Sequence, residues 1–149
     1  MHEGIITIFR NIKETEQPFF RAVDAILERI RNGSSKDLIK NIRALKDKSK
    51  INELKQELPA ICFSGKFTKR SDGSIASHSG FVCLDFDGYT KQKDLLEQKE
   101  VLSKNKYVYS VFISPSGKGL KALVKIPQDI DNHRNYFNSL ENHFKSEHF

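Results

Sequence analysis

Two stretches of this 149-residue chain hold residues whose types and spacing can do chemistry. The first is Leu84-Asp85-Phe86-Asp87-Gly88. If the apolar run Phe81-Val-Cys-Leu84 is a strand, Asp85 and Asp87 leave its C-terminal end on one face, about 7 Å apart at Cα, with Phe86 on the other. Two carboxylates that close repel each other unless a cation neutralises them, and oxygen ligands suit a hard divalent ion, Mg2+ or Mn2+. Without a ligand the same residues serve as turn formers, with Gly88 supplying a positive φ. Strand ends are where open sheets place their sites, which favours a catalytic, metal-binding role for Asp85 and Asp87.

The second stretch is Ser114-Pro-Ser-Gly-Lys-Gly-Leu-Lys121, lying between two predicted strands. Its hydroxyls, glycines and lysines offer backbone N–H groups and positive charge to an anion, so Ser114, Ser116, Gly117, Lys118, Gly119 and Lys121 are candidates to cradle a triphosphate. The spacing is not that of a Walker P-loop, and no helix follows. A hairpin turn of no further function is the alternative. Lys121, Leu123 and Lys125 alternate with Ala122, Val124 and Ile126, so Lys121 projects toward the face that the loop overhangs. A carboxylate pair needs a cation and a triphosphate brings one. Together the two stretches point to metal-assisted phosphoryl transfer, provided that the fold makes them neighbours.

The elements that must position them follow from periodicity and punctuation. Gly4–Phe9 reads as a first strand. A helix is expected from Pro18, with Phe19, Val23, Ile26, Leu27 and Ile30 on one stripe and Asn32-Gly33 as its left-handed stop. A second helix follows Ser34 or Ser35, its apolar stripe opposite Lys36, Lys40, Arg43 and Lys46, and a third runs from Ser49 to Glu57. Ala60–Phe63 reads as a strand leading into a loop or hairpin, and Phe81–Leu84 as a central strand covered on both faces. A helix over about 91–103 comes next. Tyr107, Tyr109, Val111 and Ile113 then share one face of a strand, Leu120–Ile126 form another, and a last amphipathic helix carries Tyr136, Phe137, Leu140 and Phe144. The fold class is α/β in the broad sense (α+β), one mixed or antiparallel sheet with helices packed on it, in a single domain over 1–149: a basic helical segment at 18–58 and the motif-bearing sheet at 60–149.

Composition narrows the partners. With 38 % hydrophobic residues the chain can bury a core, and 25 Lys and Arg against 19 Asp and Glu give +6, which favours a polyanion. Residues 31–56 alone hold eight basic and three acidic residues, so Lys36, Lys40, Arg43 and Lys46 are candidates to track a nucleic-acid backbone. No run is long and apolar enough to span a membrane, and the Met-His-Glu-Gly start lacks a secretory pattern, so the cytoplasm is expected. Cys62 and Cys83, in apolar runs without partners at metal spacing, are expected to be buried free thiols. His78 reads as a surface-loop histidine, and His133, His143 and His148 as solvated. Tyr107 and Tyr109 are core residues or, alternatively, stack on bases.

Four blocks, Lys55-Gln-Glu-Leu-Pro59, Phe63-Ser-Gly-Lys-Phe67, Gly80-Phe-Val-Cys-Leu-Asp-Phe-Asp-Gly88 and Ser114-Pro-Ser-Gly-Lys-Gly-Leu-Lys121, resemble the VirE N-terminal domain family, which is similar to the archaeo-eukaryotic primase superfamily. The resemblance implies an RRM-like primase-polymerase fold, divalent metal on Asp85 and Asp87, and Ser116, Gly117 and Gly119 at the phosphates of an incoming NTP or dNTP. It also implies a DNA template and a helicase-like module, in replication or mobile-element maintenance. Superfamily members carry a histidine where this chain has Lys121, and a third acidic motif on a later strand, which would lie beyond Phe149. The expectation is therefore a nucleotidyltransferase domain, with a non-catalytic nucleic-acid-binding module as the alternative and a nucleotide-binding regulator as a third.

Overall fold

A computed structural model describes residues 4–147. It is an α+β protein with antiparallel strand pairing throughout, as composition and patterning lead one to expect. The strands do not form the single expected sheet; they divide into three small ones. Long-range contacts divide the chain into two compact units, one ending at Ser79 and the other beginning at Gly80.

In the first unit, β1 (Ile5–Phe9) lies between β2 (Phe19–Ala22) and β3 (Ala60–Cys62). Strand β2 replaces the first turns of the helix expected from Pro18. Ile5–Ile8 pair with Phe19–Ala22, and the ladder hands over to α1 (Val23–Arg31) where Val23 N–H donates to Gly4 O at 2.9 Å. Phe19 and Val23 stand at helical spacing, but aromatic residues beside a ready strand edge gain more from cross-strand pairing than from another helical turn. The stop is as expected: Gly33, at φ 74°, takes the left-handed conformation after Asn32.

Helix α2 (Lys36–Ala44) follows, with Ser35 at its N-cap but making no side-chain cap. Helix α3 (Lys48–Lys55) is capped by Asp47, whose carboxylate accepts from Ser49 N–H at 2.8 Å and Lys50 N–H at 3.3 Å. Ile6, Phe9, Val23, Ile26 and Ile42 are buried. Strands β4 (Gly65–Phe67) and β5 (Ile75–His78) form the hairpin that the turn-rich segment suggests. Buried Thr7 ties it to β1, donating to Gly65 O at 2.7 Å and accepting from Phe67 N–H at 2.9 Å. His78, expected on a surface loop, instead ends β5 opposite Gly65 and is buried.

The second unit runs β6 (Phe81–Phe86), α4 (Gln92–Ser103), β7 (Val108–Ile113), β8 (Leu120–Lys125) and α5 (His133–Ser146). Its sheet order is β6-β8-β7, so β6, expected as a central strand, is an edge strand of this sheet and β8 is the centre. Both strands are apolar runs of similar length, and local pattern does not tell which of the two will be flanked. Val82, Leu84, Leu120 and Val124 meet Leu95 and Leu102 of α4 and Phe144 of α5 in one core. Phe86 joins them, its ring edge-on to Phe144 at 5.7 Å between centroids.

Candidate functional site

The helices cover one face of the β6-β8-β7 sheet, and strand alternation sends Phe81, Cys83 and Asp85 of β6 and Lys121, Leu123 and Lys125 of β8 to the other. Antiparallel pairing sets Phe81 opposite Lys125, Cys83 opposite Leu123 and Asp85 opposite Lys121. Phe81 and Leu123 are fully buried, whereas the Asp85 and Lys121 side chains, one strand end away, are 54 % and 33 % exposed. The chemistry-bearing residues thus sit where the face opens to solvent.

Asp85 accepts from Lys121 Nζ at 2.7 Å. Burial lowers the Lys121 pKa, but the hydrogen bond and charge of Asp85 more than offset it, with smaller contributions from Cys83 and Asp87, and the ammonium is held above its ordinary value. Burial pushes the neighbouring Cys83 thiol up to about 12, against the pull of Lys121 and with the push of Asp85. Both cysteines are free thiols, as expected, and partly buried. Burial also raises the Cys62 thiol, opposed by Arg70.

Asp87 lies one residue past β6, before Gly88 at φ 90°. Continuing the ladder one step sets it beside Gly119, and there Gly119 is required sterically: a Cβ at that position would collide with Asp87 Oδ1 and would press on Phe86 O and Ser114 Oγ at 3.1 Å each. The contact continues where Tyr89 N–H donates to Lys118 O at 3.1 Å. Asp85 and Asp87 on one segment and Lys121 and Gly119 on the next therefore form a two-by-two array.

The loop is a compact hairpin end. Ser114 N–H donates to Gly119 O and Gly117 N–H to Ser114 O, both at 2.9 Å, and Gly117 takes φ 78°. Lys118 N–H donates to Ser116 Oγ at 3.3 Å, and the Ser114 and Ser116 hydroxyls are 3.1 Å apart. The N–H groups of Gly117 and Lys118, expected to face an anion, are thus spent inside the loop. Its anion-seeking groups are the Ser116 hydroxyl, the exposed Lys118 and Lys121.

Among the described residues no group of three His, Cys, Asp or Glu side chains is placed to hold a metal ion. Asp85 and Asp87 suit a cation of the Mg2+ kind, which takes one or two protein carboxylates and completes its shell with water and substrate phosphates; they do not form a closed metal centre of their own.

Strand β7 departs from its expected alternation. The register slips between Val108 and Ser110, leaving Tyr109 as an extra residue. Val108, Val111 and Ile113 therefore face the helices, while Tyr109 turns to the opposite face and packs on Phe81 at 5.0 Å, with Lys125 Nζ 4.9 Å from its ring. On the loop side of the slip the pairing is regular, and it sets Phe112 opposite Lys121, on the side away from Asp85. Sequence reading misses Phe112, because alternation within one strand does not tell which residue of β7 will flank Lys121. Tyr107 precedes the strand, is exposed, and meets His143 edge-on at 5.4 Å.

Lys36, Lys40 and Arg43 are exposed on α2, and Lys46 is exposed just beyond it. They belong to the first unit, and the carboxylates and loop to the second. Charge divides in the same way. Residues 4–79 hold 15 Lys and Arg against nine Asp and Glu, and residues 80–147 hold ten against nine. His133 is partly buried, and burial, with Arg134, lowers its pKa. His148 lies outside the described residues. No helix is long and apolar enough to cross a membrane among the residues described.

No curated protein and no solved structure matches the chain. The family comparison overturns the resemblance drawn from the four blocks: the family that matches is neither the VirE N-terminal domain nor a primase family. The replication setting, the helicase-like module and the expected third acidic motif rested on that resemblance and lose its support. Short glycine-rich and Asp-X-Asp blocks recur wherever a strand ends at a phosphate or metal site, and so do not by themselves separate families. The match covers residues 53–148, about two thirds of the sequence, taking in the end of α3, the hairpin and the whole β6-β8-β7 sheet with both motifs, and the chain belongs to the BT4734-like, N-terminal domain family.

Proposed function

We propose that the second unit binds a nucleoside triphosphate together with Mg2+ or Mn2+ and that its chemistry is nucleotidyl transfer. The observation that carries this reading is the seat of the Asp87 carboxylate against Gly119, which brings the anionic pair and the cationic loop into one array. Asp85 and Asp87 hold the cation, and Ser116, Lys118 and Lys121 draw the phosphates. When bound, the cation neutralises charge on the transferring group and eases loss of the proton from the attacking hydroxyl. In the transfer, a 3′ oxygen bonds to the α-phosphorus, the bridge to the β-phosphate breaks, pyrophosphate leaves, and the hydroxyl proton passes to water. The cytoplasm is the compartment in which such substrates are held.

A second reading has its own support in the uneven charge. The first unit's excess of basic residues, with Lys36, Lys40, Arg43 and Lys46 exposed, fits a nucleic-acid-binding module that does no chemistry. Titration of ATP with and without Mg2+, followed by primer-extension assays, separates the two. Under the enzymatic reading, Asp85→Ala and Asp87→Ala abolish metal-dependent nucleotide binding and extension. Equal behaviour of both variants and the parent chain removes that reading, and metal-independent DNA binding by all three leaves the second.

A further inference from the structure

The Asp85–Lys121 pair does more than balance charge. It spans the two strands that carry the site: Asp85 and Lys121 are paired in register, and Nζ donates to Oδ1 at 2.7 Å. Asp85 is thus already engaged by a cation that belongs to the chain. Lys121 also stands two residues from Gly119, the residue against which Asp87 is seated, so any further cation shared by the two carboxylates must meet the field of the ammonium. Phe112, the register partner of Lys121 on β7, stands on its other side.

We propose that Lys121 is a tethered stand-in for the divalent ion, and that the site therefore accepts a metal–triphosphate complex in preference to the free metal. This rests on reading Asp85 and Asp87 as metal ligands, and adds the order in which the ligands enter. A free divalent ion approaching Asp85 must displace the ammonium and then remain beside it, like charge against like. A triphosphate removes both obstacles, because its oxygens give the ammonium a new acceptor as Asp85 turns to the metal. Lys118, exposed at the loop tip, supplies a second acceptor-seeking charge for the same phosphates. A lysine suits this exchange: its ammonium is a compact charge on a flexible stem and can change partners without rebuilding a bidentate fork.

The test measures binding alone, using Mn2+ followed by the electron paramagnetic resonance of the free ion, with and without a non-hydrolysable ATP analogue. For the parent chain, weak Mn2+ binding is expected to tighten when the analogue is present. Lys121→Met should bind Mn2+ alone about ten-fold more tightly, the order expected when one unit charge about 4 Å from a divalent ion is removed at a partly exposed site. It should also lose most of the tightening that the analogue causes. Lys121→Arg, which keeps the charge, should bind Mn2+ alone as weakly as the parent chain, but its fork changes partners less freely and should recover only part of the tightening. Asp87→Asn added to Lys121→Met should abolish the gain, locating it at this pair.

If the parent chain binds Mn2+ with the analogue but Lys121→Met shows no gain in affinity for Mn2+ alone, the stand-in role is overturned and the nucleotide site survives. If no variant binds Mn2+ under either condition more tightly than a chain carrying both Asp85→Asn and Asp87→Asn, the nucleotide site itself is overturned, and the proposal with it.

Discussion

Gly119→Ala adds one methyl group to the point where the loop meets the carboxylate. Backbone strain is not at issue, because Gly119 is absent from the glycines with positive φ, unlike Gly117 at 78°. The cost is steric. Its Cβ would collide with Asp87 Oδ1 and would stand 3.1 Å from Phe86 O and from Ser114 Oγ. The carboxylate can swing away, whereas Phe86 O belongs to a strand end fixed by pairing of Phe86 with Leu120. Overpacking of this kind costs about 1–3 kcal/mol. For a protein of this size that corresponds to a fall in melting temperature of about 2–12 °C. Gly117→Ala is the matched control: an alanine forced into the left-handed region costs about 1–2 kcal/mol, a similar loss of stability, but leaves the Asp87 seat untouched. Thermal melts followed by titration of ATP with Mg2+ separate the two effects. Gly119→Ala should lose metal-dependent nucleotide binding about ten-fold or more, since a misplaced ligand forfeits roughly 1.4 kcal/mol for each factor of ten. Gly117→Ala should stay within a few-fold of the parent chain. Undiminished binding by Gly119→Ala, with binding in the parent chain established, would refute the claim that the Asp87 seat is part of the site.

Three further outcomes follow from the structure. Replacing Asp85 with Asn should cost less than about 1 kcal/mol at neutral pH, because the pair it breaks is half-exposed. The folded-state pKa of Lys121 is raised above its ordinary 10.5, so the stabilisation is full below that pH and is lost as pH climbs through the raised value; the difference in melting temperature between the parent chain and Asp85→Asn should be constant from neutral pH to about 10 and then shrink. Cys83, with its thiol pushed up to about 12, should resist iodoacetamide at pH 8 in the folded protein and react readily in denaturant, as peptide mapping will show, and fast native labelling would contradict its burial. Replacing Lys36, Lys40, Arg43 and Lys46 together with Gln should flatten the log–log salt dependence of binding to single-stranded DNA by about three, four contacts at roughly 0.7 each, and an unchanged slope would remove them from the interface.

Much of the candidate site was legible because its signals are local. An apolar run ending in Asp-Phe-Asp-Gly marks β6 and its exposed end, and proline and glycine between two alternating runs mark the β7–β8 hairpin. The helical stop at Asn32-Gly33 was readable for the same reason: a positive φ at the end of a helix is a preference of one residue. The errors fall where competition between distant segments decides. Phe19–Ala22 has a helical spacing and becomes a strand because β1 offers it an edge. His78 sits in a polar run and is buried because its strand pairs with β4.

By itself the sequence determined which residues carry charge, which strand end bears the two carboxylates, and that the glycine-rich turn joins two strands. Only the tertiary structure decided that β8 lies between β6 and β7, and so that Asp85 meets Lys121 across 36 residues of chain and Asp87 rests on Gly119. It also decided that Phe112 pairs with Lys121 and that a slip at Tyr109 turns this ring to the same face as Phe81. The physical reason is that side-chain alternation is a property of one strand, whereas partner and register are chosen by hydrogen bonds and packing between strands, which no local periodicity specifies.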